Sequence, residues 1–206
     1  PGSIIEQLVN SGAQVLLGGG PKFLAQTTID GETVAAMATG QGYRILGRET
    51  DLGSVPPGRP ILGTFDEETL EVRWRGTDAR VGEETETSWL HHLSDYLGDT
   101  EEPEPMSCEP NPDYEGTPAL ASMTDLALRH LSQDNDRGFF LMIESASIDK
   151  QSHKRNPCGS IGEIEQLGSH VMSAFSCRPN TSGLGTAGNA RTCATNSSTV
   201  DASGAT

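Results

Sequence analysis

The chain has 206 residues, enough for one domain with a buried core or for a large part of a bigger one. Its 14 Lys and Arg against 29 Asp and Glu give a formal net charge of −15, which repels nucleic-acid phosphates and anionic lipids and argues against nucleic-acid binding. No apolar run approaches the roughly 18 residues that cross a bilayer, so we expect a soluble protein without membrane contact. The chain opens at Pro1 without a Met or a targeting segment, so we expect further residues upstream.

The charge divides the chain into two parts. Residues 1–167 carry 28 acidic and 12 basic side chains, a net charge of −16, whereas residues 168–206 have a net charge of +1. Ser, Thr, Ala, Gly and Asn make up 27 of those last 39 residues, with no helical or strand periodicity. We therefore predict a low-complexity, disordered tail over residues 168–206. An artefact of reading frame, cloning or assembly is favoured over a natural flexible tail as its origin.

Residues 1–167 alternate short helical and strand patterns. Ser3 followed by Glu6 is the capping box of a helix over residues 4–9, which Gly12 ends. In chain order, the remaining patterns predict a strand at 15–17, a helix around 34–37, strands at 43–46 and 61–65, a helix through 120–131 capped by Thr117, and a continuous apolar strand at 139–143. Strands that alternate with helices indicate an α/β fold with a mostly parallel sheet. The apolar run at 139–143 is typical of a central strand covered on both faces.

Residues 83–104 hold eight acidic side chains and no Lys or Arg. We interpret this stretch as a solvated surface insertion. A Ca²⁺ site is the less favoured alternative, because the acids lack the spacing of a metal-binding loop. The adjacent His91 and His92 would point in different directions on a helix or a strand, so a surface pair is favoured over a metal site.

Two motifs typical of other functions are set aside. Residues 18–22, Gly-Gly-Gly-Pro-Lys, lack the Gly-Lys-Ser/Thr ending of a phosphate-binding loop, so a tight turn after the strand is favoured. Ser145, Ser147 and Ser160 could each be proposed as a nucleophile, but none lies in a Gly-x-Ser-x-Gly sequence. We interpret them as ordinary polar residues.

The predicted strand at 139–143 leads into a group of possible metal ligands. Glu144 follows the strand, at the edge where α/β sheets hold ligands, and is a hard oxygen ligand suited to Mg²⁺. Asp149 and His153 would lie on one face of a helix, where a carboxylate oxygen and an imidazole nitrogen suit Zn²⁺. Lys150 would add positive charge beside a bound anion. A surface helix with an ordinary ion pair explains this spacing equally well.

The segment at 138–153 also matches a known protein family. Its sequence, Gly-Phe-Phe-Leu-Met-Ile-Glu-Ser-Ala-Ser-Ile-Asp-Lys-Gln-Ser-His, continues with Asn156-Pro157-Cys158-Gly159 and Ile161-Gly162-Glu163, and is preceded in order by residues 15–22, 72–74, 107–112 and 123–125. The part from Gly138 to Glu163 resembles the metal-binding segment of bacterial alkaline phosphatases. With the earlier motifs, the resemblance to this family extends from Gly2 to near Leu167. The resemblance implies an alkaline-phosphatase-like three-layer α/β/α sandwich with a mostly parallel central sheet, incomplete in this chain.

The resemblance also assigns individual roles. It implies that Asp149 and His153 bind the first catalytic Zn²⁺, that Glu144 binds Mg²⁺, and that Lys150 contacts bound phosphate through water. It pairs Cys108 with Cys158 in a disulfide, which suits a periplasmic or secreted enzyme. Cys177 and Cys193, in the tail, have no counterpart and could mispair.

Phosphate monoesters are the substrates that the resemblance implies, hydrolysed through a phosphoserine intermediate at two Zn²⁺ and one Mg²⁺ in a homodimer. The family's nucleophilic Ser and phosphate-clamping Arg would lie upstream of Pro1, and the remaining zinc ligands would follow Leu167. Asp201 and His170 do not have the sequence context of those ligands. We therefore expect the isolated chain to be inactive. A non-catalytic metal- or phosphate-binding module, and a related phosphodiesterase or sulfatase, are the alternatives.

Overall fold

A computed structural model describes residues 3–82, 93, 96 and 105–171. The helices are α1 (Ile4–Asn10), α2 (Val34–Gly40), α3 (Leu120–Ser132), α4 (Ser147–His153) and α5 (Pro157–Glu165), and the strands are β1 (Val15–Gly18), β2 (Arg44–Leu46), β3 (Ile61–Thr64), β4 (Trp74–Gly76) and β5 (Cys108–Pro110). Short 3₁₀ turns lie at Pro21–Phe23, Leu52–Ser54, Thr77–Ala79 and Pro112–Tyr114, and a π-helical turn at Gln166–Val171 follows α5. None of the described helices combines the length and the apolar character needed to span a membrane.

The main sheet is parallel, with the strand order β1-β3-β2. Val15 of β1 and Arg44 of β2 both pair with Ile61 of β3, so the central strand has a hydrogen-bonded neighbour on each side. All four residues of β3 are buried, as expected for a strand covered on both faces. β4 and β5 form a separate antiparallel pair.

Helices cover both faces of the parallel sheet. Because side chains alternate along a strand, Ile61 and Leu62 face opposite sides. Leu62 packs in a cluster with Val9 of α1 and Val34 of α2. Ile61 packs on the other face with Leu126 of α3 in a second cluster. The described part of the chain is therefore an α/β/α arrangement with a mostly parallel sheet, as predicted.

The predicted start of α1 is confirmed. The Ser3 hydroxyl accepts a hydrogen bond from the backbone N–H of Glu6, and Gly12 follows the helix with a positive φ of 77°. The Thr33 hydroxyl accepts a similar bond from Ala36 and begins α2. Both caps stabilise the helix starts, since each satisfies a backbone donor that has no partner within the helix.

The predicted cap of α3 is wrong in its residue. The N-cap of α3 is Ala119, which makes no side-chain capping bond. The Thr117 hydroxyl instead donates to Asp66 Oδ2 at 3.3 Å, and Asp66 also pairs with Arg48. Thr117 therefore ties the loop before α3 to the loop after β3, because a tertiary partner takes the hydroxyl that the helix end could have used.

The predicted central strand at residues 139–143 is also wrong. This segment lies outside every described strand, and the side chains of Phe140 and Met142 are 88% and 75% exposed. A central strand needs hydrogen-bonded neighbours on both sides, and the described sheet ends at β1 without pairing to this segment. Apolar composition alone therefore gave the wrong local structure here. Its residues nevertheless line a cavity together with Val15 and Leu17 of β1.

A disulfide and a close contact hold α5 against the antiparallel pair. Cys158 of α5 is bonded to Cys108 of β5, with a Cα–Cα distance of 5.4 Å. Gly162, one turn further along α5, faces Trp74 of β4, and a Cβ at Gly162 would lie 2.6 Å from Trp74 Cδ1. The Trp74 indole N–H donates to Glu165 at 2.8 Å. These contacts fix the position of α5 over β4 and β5.

The Cys108–Cys158 disulfide is expected to be a major source of stability. It closes a loop of 50 residues, for which the chain-entropy model gives about 4 kcal/mol. The C108S/C158S double variant should lose that free energy of unfolding in urea denaturation. The C177S/C193S double variant is the matched control and should unfold at the wild-type urea concentration. Equal midpoints for the two variants would contradict this expectation.

Gly162 should not tolerate a methyl group. In Gly162→Ala the new Cβ would collide with backbone and side-chain atoms of Trp74, so we expect a loss of about 1–3 kcal/mol in unfolding free energy. Gly40→Ala at the end of α2 is the control, since no heavy atom lies within 4 Å of the point that its Cβ would occupy and no positive φ is required. Thermal and urea denaturation would measure both, and equal stability of the two variants would contradict the close-packing account.

Candidate functional site

The short helix α4 presents the predicted zinc ligands on one exposed face. Asp149 and His153 are four residues apart, and Asp149 Oδ1 lies 3.5 Å from His153 Nε2. Both side chains are 81% exposed, so neither needs an internal partner to offset burial. One oxygen and one nitrogen donor this close together fit part of a Zn²⁺ coordination shell, and they equally form a surface ion pair when the imidazole is protonated. The pair therefore places one oxygen and one nitrogen donor side by side on an exposed helix face.

The helix α5 fixes the orientation of α4. The Asn156 side chain lies between the two helices: its Oδ1 accepts from the N–H of Gly159 at 3.1 Å, and its Nδ2 donates to Gln151 Oε1 at 2.8 Å. Gln151 is buried, and a Cβ at Gly159 would collide with Asn156 and Gln151. The disulfide holds α5 against β4 and β5, and α5 in turn orients α4. The positions of Asp149 and His153 therefore depend on this attachment.

A cavity of about 410 Å³ opens between β1 and the segment that leads into α4. Its apolar part is formed by side chains such as Leu17, Met123 and Ile143. Its polar lining includes Glu68, Glu71, Glu144, Ser145, Lys150 and Glu163. The structure thus brings Glu144 and Lys150 to one cavity, whereas Asp149 and His153 are not among its lining residues. Within the described ranges, no three His, Cys, Asp or Glu side chains are placed to hold one metal ion together.

Lys150 is part of a cluster of positive charge. Lys22 forms an ion pair with Glu68, and this pair together with the charges of Lys150 and Lys154 lowers the pKa of the Glu68 carboxyl. Lys150 lies in α4, and Lys154 is the C-cap residue that ends this helix four positions later. These three lysines place positive charge around Glu68, beside a cavity that is also lined by the carboxylates of Glu71, Glu144 and Glu163.

Burial gives Glu163 an environment that the sequence did not indicate. Its carboxyl accepts hydrogen bonds from Ser145 Oγ at 3.2 Å and from Gln166 Nε2 at 3.0 Å, and burial is the main cause that raises its pKa. Its neighbours Ile161 and Ile164 are 58% and 55% exposed, the reverse of the usual pattern. Hydrophobic periodicity therefore could not have found this residue.

The motifs that were set aside have structural roles. Gly19 packs against the backbone of Glu68 and Thr69, where a Cβ would lie 2.9 Å from Glu68 O, so the glycine-rich turn serves close packing. Ser147 is buried, and the Ser160 hydroxyl donates to the Ile148 carbonyl at 3.3 Å. His91 and His92 lie outside the described residues, as do the acidic side chains that the sequence assigns to residues 83–104.

Comparison with protein families identifies one match. The family model described as alkaline phosphatase matches residues 1–197, which includes the whole described part of the chain and continues beyond Leu167. The predicted boundary at Leu167 remains a prediction, since the residues from 172 onward lie outside the described ranges.

Individual relatives agree with the family match. The chain is 42% identical over 182 residues to the alkaline phosphatase of Escherichia fergusonii, covering 84% of this chain and 35% of that protein. It therefore spans about a third of the length of the curated relatives that it matches.

Solved structures show the same fold. The alkaline phosphatase from the Antarctic bacterium TAB5 matches with a TM-score of 0.55 and 21% identity, over 82% of this chain and 38% of that chain. A mutant of the TAB5 enzyme with Mg bound matches with a TM-score of 0.52 and 20% identity, over 82% of this chain and 37% of that chain. On the extent of the family match, this chain belongs to the alkaline phosphatase family.

Proposed function

We propose that this chain supplies part of the active site of a phosphomonoester hydrolase. The observation that carries the proposal is the Asp149–His153 pair, which presents an oxygen and a nitrogen donor 3.5 Å apart on one face of α4. Lys150 lies between them in sequence and reaches the adjoining cavity. Family membership adds the reaction class, because a fold alone does not specify an activity.

Asp149 and His153 fit two of the ligands of a catalytic Zn²⁺. When bound, such an ion acts as a Lewis acid and lowers the pKa of a coordinated water. The role of this chain would be to hold the two donor atoms at a fixed separation, since rigid ligands keep the ion in position relative to the substrate. Further ligands must come from outside the described residues, because these contain no three-residue metal cluster.

Glu144 is the proposed Mg²⁺ ligand. It is an exposed carboxylate at the cavity wall, and hard oxygen donors are what Mg²⁺ prefers. A TAB5 alkaline phosphatase mutant of the same fold binds Mg in its M3 site. Glu144 lines the cavity whereas Asp149 and His153 do not, which favours a separate ion for Glu144.

Lys150 is the proposed phosphate contact. An ammonium group offers three donors, and a bridging water would carry one of them to a phosphate oxygen, as the resemblance implies. Lys22 and Lys154 add positive charge nearby, while Glu68 offsets part of it. The cluster would attract an anionic substrate to a chain that otherwise repels it.

The finer parts of the proposal come from the family resemblance. They are a phosphoserine intermediate, two Zn²⁺ and one Mg²⁺, a homodimer, and a periplasmic or secreted location, which the Cys108–Cys158 disulfide supports. None of the serines in these 206 residues matches the family's nucleophilic Ser. The isolated chain is therefore proposed to bind metal without turning over substrate.

Zinc binding by the chain tests the proposed ligands. Wild-type chain, with Cys177 and Cys193 alkylated so that the thiols cannot compete, should bind Zn²⁺ weakly in isothermal titration calorimetry. Removing either donor should weaken that binding on the order of tenfold or more, in His153→Ala and in Asp149→Asn.

Two variants control for other imidazoles. His130→Ala removes an imidazole of α3 that contacts the Arg59 carbonyl. H91A/H92A removes the two adjacent imidazoles of residues 83–104. Both should bind Zn²⁺ as the wild type does. If H91A/H92A loses the zinc while His153→Ala keeps it, the ligand assignment on α4 is wrong.

The isolated chain should not hydrolyse p-nitrophenyl phosphate. With Zn²⁺ and Mg²⁺ added, release of p-nitrophenol by the purified chain should equal that of the same sample treated with a chelator. Without a nucleophile, binding and metal alone leave no covalent route for phosphoryl transfer. Chelator-sensitive hydrolysis that disappears in His153→Ala would contradict the proposed inactivity while supporting the site.

A further inference from the structure

We propose that Ser145 and Glu163 form a positioning pair that holds the neighbouring Glu144 in place for a divalent cation. The inference rests on the proposed function, because it assumes that Glu144 is the Mg²⁺ ligand. It adds two residues to which the family resemblance gave no role. Neither residue is proposed to touch the ion.

The pair joins the segment before α4 to the helix α5. Ser145 Oγ donates to Glu163 Oε2 at 3.2 Å and lies 3.4 Å from the Glu163 carbonyl oxygen. The two residues are 18 positions apart, so the bond is a tertiary contact. Ser145 directly follows Glu144 in the chain, and all three residues line the same cavity. Fixing Ser145 therefore limits where the Glu144 backbone can lie.

Glu163 is suited to this task because it is itself held from several sides. It is only 8% exposed, and its carboxyl accepts from Gln166 Nε2 and from the backbone N–H of Arg73 in addition to Ser145. Gln166 in turn accepts at its Oε1 from the Tyr114 hydroxyl at 3.0 Å. A buried carboxylate with several donors has little freedom to rotate, so Ser145 is bonded to a rigid group.

The segment that contains Glu144 needs such a bond. Residues 139–145 lie outside every described strand, and no regular backbone ladder fixes them. Glu144 is exposed, so packing does not fix its side chain either. A ligand that is loose before binding loses conformational entropy when the ion binds, and partners of the ligand segment typically change metal affinity 10- to 100-fold.

The experiment uses the full 206-residue chain labelled with ¹⁵N. Two quantities are measured by NMR: the order parameter of the Glu144 amide, and the Mn²⁺ concentration that broadens its signal by half, with Mn²⁺ as the probe of the Mg²⁺ site. Ser145→Ala and Glu163→Gln remove the bond or its geometry. Ser145→Thr keeps the hydroxyl, and Ser152→Ala removes a hydroxyl that bonds the Ile148 carbonyl instead. Thermal melting confirms that each variant is folded.

We expect the order parameter of Glu144 to fall from about 0.85 to about 0.6 in Ser145→Ala and in Glu163→Gln. The half-broadening Mn²⁺ concentration should rise on the order of tenfold in the same two variants. Ser145→Thr and Ser152→Ala should keep both wild-type values. A folded Ser145→Ala that keeps both wild-type values would overturn the inference, and Glu163→Gln decides it in the same way if Ser145→Ala does not fold.

The variant Glu144→Gln separates this inference from the proposed function. If Glu144→Gln weakens the effect of Mn²⁺ and the two positioning variants do not, Glu144 is a ligand and the positioning pair is refuted. If Glu144→Gln leaves the effect of Mn²⁺ unchanged, the ligand role fails and the positioning inference is overturned with it. A loss in all three variants supports both.

Discussion

The attachment of α5 to the antiparallel pair β4–β5 is the constraint on which the candidate site depends. The Cys108–Cys158 bond fixes the first turn of α5, and the contact of Gly162 with Trp74 fixes the next. From this base, Asn156 orients α4 and Glu163 holds Ser145. The helix that carries the proposed ligands has only seven residues and no side-chain N-cap, so it could not keep its orientation alone.

The parallel sheet contributes to the site in a different way. It supplies a packed wall rather than ligands, since β1 meets the cavity through Val15 and Leu17 while the polar groups come from loops and from α4 and α5. A rigid scaffold with functional groups on the adjoining loops is the usual division in α/β proteins. Charge is also unevenly distributed in this chain of net charge −15. Lys22, Lys150 and Lys154 all lie near the Glu68 carboxylate, which lines the same cavity.

The sequence predicted correctly those elements whose formation depends on nearby residues. The Ser3 N-cap of α1 and the buried strand β3 both appear as predicted, because the cap depends on residues three positions apart and β3 on burial of the whole strand. The apolar run at 139–143 failed as a strand because pairing depends on partners elsewhere in the chain. Thr117 failed as a cap because Asp66 bonds its hydroxyl. Glu163 was missed because its environment depends on tertiary contacts with Ser145 and Arg73, which hydrophobic periodicity does not show.

The central claim is that α4 carries zinc ligands of an alkaline phosphatase site, and the ligand atoms themselves are its most direct test. X-ray absorption at the zinc edge identifies the atoms that coordinate the ion. The sample is the zinc-loaded chain with Cys177 and Cys193 alkylated. The account predicts imidazole nitrogen and carboxylate oxygen at about 2.0–2.2 Å without sulfur, and loss of the imidazole signal in His153→Ala. An unchanged imidazole signal in His153→Ala would contradict it.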